Sequence, residues 1–175
     1  MEFNKTIAAR QSVRKFTEAQ ITDEQLKAIL EAANAAPACM GQYDHLHLTV
    51  VQKPEILVQI NAAFQKAVGD PNVQVTYGAP TVIYVSCKNE DEEIIKGCNA
   101  GVVMENMLLA ATDQAWTISI SGALPMRLPK CLNCRKNLVF LKDLLLFPAR
   151  RWGYAAESSS AEKELGITLA ANYVS

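Results

Sequence analysis

The stretch GVVMENMLLAAT, residues 101–112, is apolar on nearly every side of the helix that its pattern predicts from Glu92 to about Ala115. A helix with so little polar face must be covered from several directions, either by the rest of its chain or at a dimer interface. Strands on either side can supply part of that cover. APTVIYVSC, residues 79–87, is an unbroken apolar run and predicts an interior strand rather than an edge. HLHLTVV, from His45 to Val51, alternates, which sets Leu46, Leu48 and Val50 on one face of a second strand. WTISISG, residues 116–122, and the RWGYAAES segment each predict one more.

The remaining helices carry clear boundary signals. Residues 4–9 predict a short helix. In ITDEQLKAILEAANAAP, Thr22 stands at the N-cap with Gln25 three residues on in the capping-box position, Leu26, Ile29, Leu30 and Ala33 recur at helical spacing, and Pro37 stops the run. A further helix is expected over Pro54–Val68, with Pro54 tolerated in the first turn and Gly69 closing it. Helices mixed with scattered, non-alternating strands predict an α+β fold rather than a regular succession of βαβ units.

At 175 residues the chain is expected to be a single domain, 1–175. Seventeen Lys plus Arg against eighteen Asp plus Glu give a formal charge of -1, so no global field draws it to nucleic acid or anionic lipid. No window reaches the length of a membrane span and no leader pattern opens the sequence, so a cytoplasmic location is expected. Apolar residues at 50% and charged residues at 20% point to a large core or a buried subunit interface. Cysteines at 39, 87, 98, 131 and 134 are odd in number and sparse, as expected for thiols in a reducing compartment.

Chemistry concentrates in two places. RQSVRKF puts Arg10, Arg14 and Lys15 around Ser12 with no acid before Glu18. On an extended segment Arg10, Ser12 and Arg14 would project to one side and could converge on a phosphate or carboxylate. The competing reading is a solvated surface tied to Glu18, Asp23 and Glu24. The second place is PACMG, Pro37 to Gly41, a loop of small residues whose backbone can approach a flat ligand; an ordinary helix-to-strand connection is the alternative. His45 and His47 lack a third ligand and are expected to face solvent from the strand, with no metal site there. Cys131 and Cys134 form a lone CxxC between basic residues, too little for a metal cage. GxSxG, GxGxxG after a strand and GxxxxGK[ST] are all missing, which argues against hydrolase, dinucleotide-fold and P-loop chemistry.

Taken in order, these landmarks resemble the FMN-dependent nitroreductase family. RQSVRKF resembles its opening RRSVRxF signature, Glu31 to Pro37 its EAAxxAP helix end, and PACMG the loop that usually reads PSxMG. ENMLLAA, Glu105 to Ala111, is similar to the family's central helix, WTISISGAL to the following strand and glycine, and RWGYAAES to its C-terminal segment. The resemblance implies an α+β fold with a central, mainly antiparallel sheet flanked by helices, and a homodimer with FMN at the subunit interface. It implies that Arg10, Gln11, Ser12 and Arg14 hold the phosphate and ribityl region. Pro37, Ala38, Cys39, Met40 and Gly41 would approach the flavin from the partner subunit, and Ser121 and Gly122 would lie beside the ring, with the Gly122 N–H facing N5. No protein nucleophile is required.

The implied activity is oxidation of NADH or NADPH, with hydride passed through flavin N5 to a nitroaromatic, quinone or similar small electron-poor acceptor. The sequence departs from the family pattern at three places. Ala38 replaces the usual serine, Gln114-Ala115 replaces a Gly-Leu-Gly turn, and residues 125–151 are basic and leucine-rich where a Gly-Ile-Pro turn and apolar strand are usual. Within that segment an amphipathic helix burying Leu138, Leu141, Leu144 and Leu145 is the plain expectation. A segment so altered also makes a flavin-binding or flavin-sensing protein without turnover the alternative function.

Overall fold

In the computed structural model, residues 2–88, 91–114, 153–157, 162–166 and 169–170 are described, together with the backbone pairing of 118–120, 144–146 and 150–152. Helices α1 (Phe3–Ala9), α2 (Asp23–Asn34), α3 (Pro54–Val68) and α4 (Glu93–Asp113) combine with strands β1 (Leu46–Val51), β2 (Thr81–Lys88), β3 (Ile118–Ile120), β4 (Leu144–Leu146) and β5 (Arg150–Trp152). Among the described residues every strand pairing is antiparallel. The sheet runs β1-β2-β5-β3, and β4 pairs β2 farther along the strand. The α+β expectation holds, with an antiparallel sheet at the centre.

β2 explains the layering. Its residues from Thr81 to Cys87 are all buried, so both faces of the strand must be covered. Ile83, Val85 and Cys87 pack with Leu46, Leu48 and Val50 of β1 against α2 and α4. The register sets them side by side: Val50 faces Ile83, Leu48 faces Val85 and Leu46 faces Cys87. Val82 and Tyr84 point the other way, into a second cluster with Leu57, Ile60 and Phe64 of α3. The period-two side-chain alternation of a strand thus sorts one apolar run into two cores.

The helix ends follow the sequence signals. Thr22 Oγ1 accepts the Gln25 amide at 3.3 Å while Gln25 Oε1 accepts the Thr22 amide at 2.6 Å, a complete capping box. α3 begins at Pro54 and ends at Gly69, whose φ of 76° is left-handed and whose N–H reaches Gln65 O. α4 closes through Gln114 at φ -89°, its N–H bonded to Thr112 O; Ala115, the other half of the departure from the glycine turn, lies outside the described residues. On α4, Ala100, Val103, Met104, Met107, Leu108 and Ala111 are buried, as its pattern requires. Ile94 is 71% and Val102 37% exposed, so one flank stays open among the described residues.

Two expectations are corrected. Leu144 and Leu145 lie in a strand, β4, and not in a helix, because the edge of β2 beyond β5 offers backbone partners at Ser86 to Lys88 that override the helical spacing; Leu138 and Leu141 lie outside the described residues. His45 precedes β1 in a short 3-10 turn instead of facing solvent from it. Its side chain is 16% exposed, with Nδ1 2.7 Å from Asp91 Oδ1. His47 is exposed, as expected.

Candidate functional site

The basic segment lies between α1 and α2 without helical structure, and its backbone is held by the C-terminal part of the chain. Thr17 N–H donates to Tyr154 O at 2.8 Å, Ala156 N–H donates to Lys15 O at 3.0 Å, and Phe16 bridges Ala155. Phe16 is buried and acts as the apolar anchor between Arg14 and the capped helix. Gly153 allows this crossing, because a Cβ there would meet Pro80 Cδ at 2.9 Å and Phe16 Cδ1 at 3.2 Å.

The cations of the segment do different things. Lys15 is tied to Glu157 at 2.7 Å; that hydrogen bond raises the lysine and lowers the carboxyl from their usual ranges. The pair is 71% and 76% exposed, so it contributes little to stability, and it engages the Lys15 ammonium away from Arg10 and Arg14. Its partner is therefore not one of the acids at 18, 23 or 24. Ser12 and Arg14 are exposed, and Gln11 is half-buried. Arg10 caps α1 in extended conformation, and its Nη1 is buried with no hydrogen-bond partner among the described residues.

A residue that the motif reading missed joins Arg10. The Lys163 backbone N–H donates to Ala8 O at 3.0 Å, and Nζ lies 3.4 Å from Ile7 O, both at the C-terminal end of α1. Loss of hydration and then the nearby Arg10 charge pull the Lys163 ammonium below its usual range, with Glu105 of α4 acting in the opposite sense. Two like charges held against the end of one helix, one of them with a buried unpaired donor, form an arrangement that an anion would complete. Lys163 sits in AEKELG, which has no motif character, so only the folded contact with α1 reveals it.

The PACMG loop sits at another station along α4. Ala36 is buried and Ala38 half-buried, whereas Pro37, Cys39, Met40 and Gly41 are exposed, with Met40 at 83%. Met40 has φ 56° and Gly41 φ 69°, consecutive left-handed residues that turn the backbone outward. The Cys39 amide donates to Asn99 Oδ1 of α4 at 2.9 Å. Ser121, Gly122, Cys131 and Cys134 lie outside the described residues. Among those described, no three His, Cys, Asp or Glu side chains are grouped to hold a metal, and no helix is long and apolar enough to cross a membrane.

The Nitroreductase family profile matches residues 7–138, from α1 through the basic segment, the loop and α4. The chain belongs to the Nitroreductase family. Its fold superposes on a nitroreductase with bound FMN from Bacteroides fragilis with a TM-score of 0.82 and 26% identity, over 100% of each chain. A nitroreductase with bound FMN from Desulfitobacterium hafniense shares the fold at a TM-score of 0.83, with 23% identity over 100% of this chain and 99% of that one. A Methanothermobacter thermautotrophicus protein, provisionally named NADH dehydrogenase/NAD(P)H nitroreductase, is 25% identical over 162 residues, which are 90% of this chain and 80% of that protein. The nitroreductase fold is thus assigned, and with it a family of oxidoreductases.

Proposed function

We propose that this nitroreductase-family protein is a single-domain, FMN-dependent NAD(P)H oxidoreductase that works as a homodimer on small electron-poor acceptors such as nitroaromatics or quinones. The observation that carries the reading is the Arg10 and Lys163 pair at the end of α1, where a buried guanidinium donor has no protein partner among the described residues. A phosphate group fits that need in charge and hydrogen-bonding capacity. The FMN bound to the Bacteroides fragilis relative supports the choice of ligand.

Arg10 and Lys163 would hold the phosphate, while the exposed Ser12 and Arg14, with Gln11, border it toward the ribityl chain. The exposed backbone of Pro37 to Gly41 would line the flavin of the partner subunit, and Ser121 and Gly122 would flank the ring. The uncovered flank of α4 around Ile94 and Val102 supports the dimer, since apolar surface there is buried by nothing described in its own chain. Bound FMN would supply the redox chemistry, taking hydride from NADH or NADPH and reducing the acceptor.

The test is an absorbance spectrum of the purified protein, followed in the same cuvette by NADH or NADPH and then by a nitroaromatic or quinone. Yellow protein and acceptor-dependent oxidation of the nicotinamide are expected. Colourless protein that does not take up added FMN refutes the reading; bound flavin without turnover would leave the binding-only alternative.

A further inference from the structure

We propose that Asn99 is a positioning residue for the flavin-lining loop, its Oδ1 fixing the backbone of residues 37–41 through the Cys39 amide. The inference rests on the reading above, in which that loop lies against FMN.

Asn99 is 4% exposed and follows Lys96 by one helical turn on α4, among Ala100 and Val103, which are also buried. Burying an amide there is unfavourable unless it is hydrogen-bonded, and the bond returns little net stability, so packing alone gives no reason for an asparagine. Its acceptor oxygen meets the Cys39 N–H at 2.9 Å. Among the described residues the other hydrogen bonds of the loop are local: Gly41 N–H to Ala38 O at 3.0 Å and Gln42 N–H to Cys39 O at 3.2 Å. These local bonds close the turn but do not locate it on the protein. The bond from Asn99 does so immediately before Met40 and Gly41, the two left-handed residues. Left-handed conformation at a non-glycine residue is unfavourable and persists where its surroundings hold it. The buried amide therefore ties an exposed, strained turn to the long, largely buried helix α4.

The experiment compares the wild type with Asn99→Ala, with Asn99→Asp, which keeps an acceptor oxygen in place, and with Asn106→Ala. Asn106 on the same helix bonds Ala32 O at 3.2 Å and serves as the control for a purely structural loss. Two quantities are read: hydrogen exchange at the Cys39 amide in flavin-free protein, and FMN titrated by fluorescence with the visible circular dichroism of the bound flavin. Asn99→Ala is expected to speed exchange at Cys39 severalfold, weaken FMN about three- to tenfold and alter the flavin dichroism. Asn99→Asp should restore both readouts, and Asn106→Ala should leave both near wild type. Unchanged exchange and dichroism in Asn99→Ala, or an equal loss in Asn106→Ala, overturns the role of Asn99 while leaving the flavin reading intact. Wild-type protein that binds no FMN refutes the flavin reading itself, and this proposal with it.

Discussion

Replacing Arg10 with methionine should change the sign of its stability effect according to whether flavin is bound. Methionine keeps most of the apolar stem of arginine and removes the guanidinium, so the packing of the α1 end is largely preserved. In flavin-free protein the wild-type Nη1 is a buried donor without a partner among the described residues. Leaving such a group unsatisfied costs about 1–3 kcal/mol; because Arg10 is half-buried overall, the low end applies, near 1 kcal/mol. Removal also lifts the charge that depresses Lys163. Flavin-free Arg10→Met is therefore expected to melt about 2–4 °C above the wild type.

With FMN the balance reverses. A charge-assisted hydrogen bond to phosphate is worth about 1.5–3 kcal/mol, so the variant should bind FMN roughly 10- to 150-fold more weakly. At a fixed FMN concentration of about 100 times the wild-type Kd, ligand stabilises the wild type by about 2.7 kcal/mol; a 50-fold loss of affinity leaves less than about 1 kcal/mol. Thermal melts with and without FMN at one protein concentration, paired with a fluorescence titration, give both quantities. Lys15→Ala is the control, since its ammonium is engaged by Glu157 at the surface and its loss should leave FMN affinity within about twofold. The reasoning is refuted if Arg10→Met lowers the flavin-free melting temperature and leaves FMN affinity unchanged.

Gly153→Ala should destabilise the fold by about 1–3 kcal/mol in chemical denaturation, because its Cβ would meet Pro80 Cδ at 2.9 Å where the C-terminal segment crosses Phe16. Thr22→Ala should cost about 1 kcal/mol in the same assay by opening the capping box of α2. Cys87, fully buried, has its thiol pushed up to about 11, chiefly by burial and then by Asp91. A pKa raised on folding favours the native state below the unfolded value of 9.0, and that stabilisation is lost as pH rises toward 11. Cys87→Ala should therefore flatten the fall in stability between pH 9 and 11 by up to roughly 2–3 kcal/mol, whereas a variant falling as steeply as the wild type would contradict the assignment. Thiol titration of the native protein should find Cys87 protected until the protein unfolds.

What the sequence reveals follows the range of the interactions involved. The capping box at Thr22 and Gln25, the Pro54 and Gly69 limits of α3 and the faces of β1 depend on near neighbours, and each is legible from spacing. β4 is not, because a leucine run becomes a strand only when the edge of β2, more than fifty residues away, offers it backbone partners. The burial of His45 is hidden from the sequence for a related reason: Asp91, its partner, is brought to it only when β1 and β2 pair. The proposed anion site shows the same division. Arg10 is visible in a motif, but Lys163 is recruited by a backbone bond to Ala8 across more than 150 residues and leaves no local mark.

Helix α4 supplies the common reference for both ends of the site. α1 packs on it, with Thr6 Oγ1 3.5 Å from Asp113 Oδ1, and Glu105 acts on Lys163 beside Arg10. Asn99 takes the Cys39 amide six residues earlier, about 9 Å along the axis at 1.5 Å per residue. On the proposed reading, the end that would hold the phosphate and the loop that would line the ring both contact this one helix, at separate stations. Its apolar character then has two consequences on that reading: the buried rows from Ala100 to Ala111 seat α4 in its own core, and the flank at Ile94 and Val102, exposed among the described residues, is where a second copy would dock. On that arrangement a dimer-disrupting charge, Val102→Glu, should lower FMN affinity although it touches neither Arg10 nor Lys163. Analytical ultracentrifugation with FMN titration checks it, and a monomer that binds FMN as tightly as the wild type would show that one chain builds the whole site.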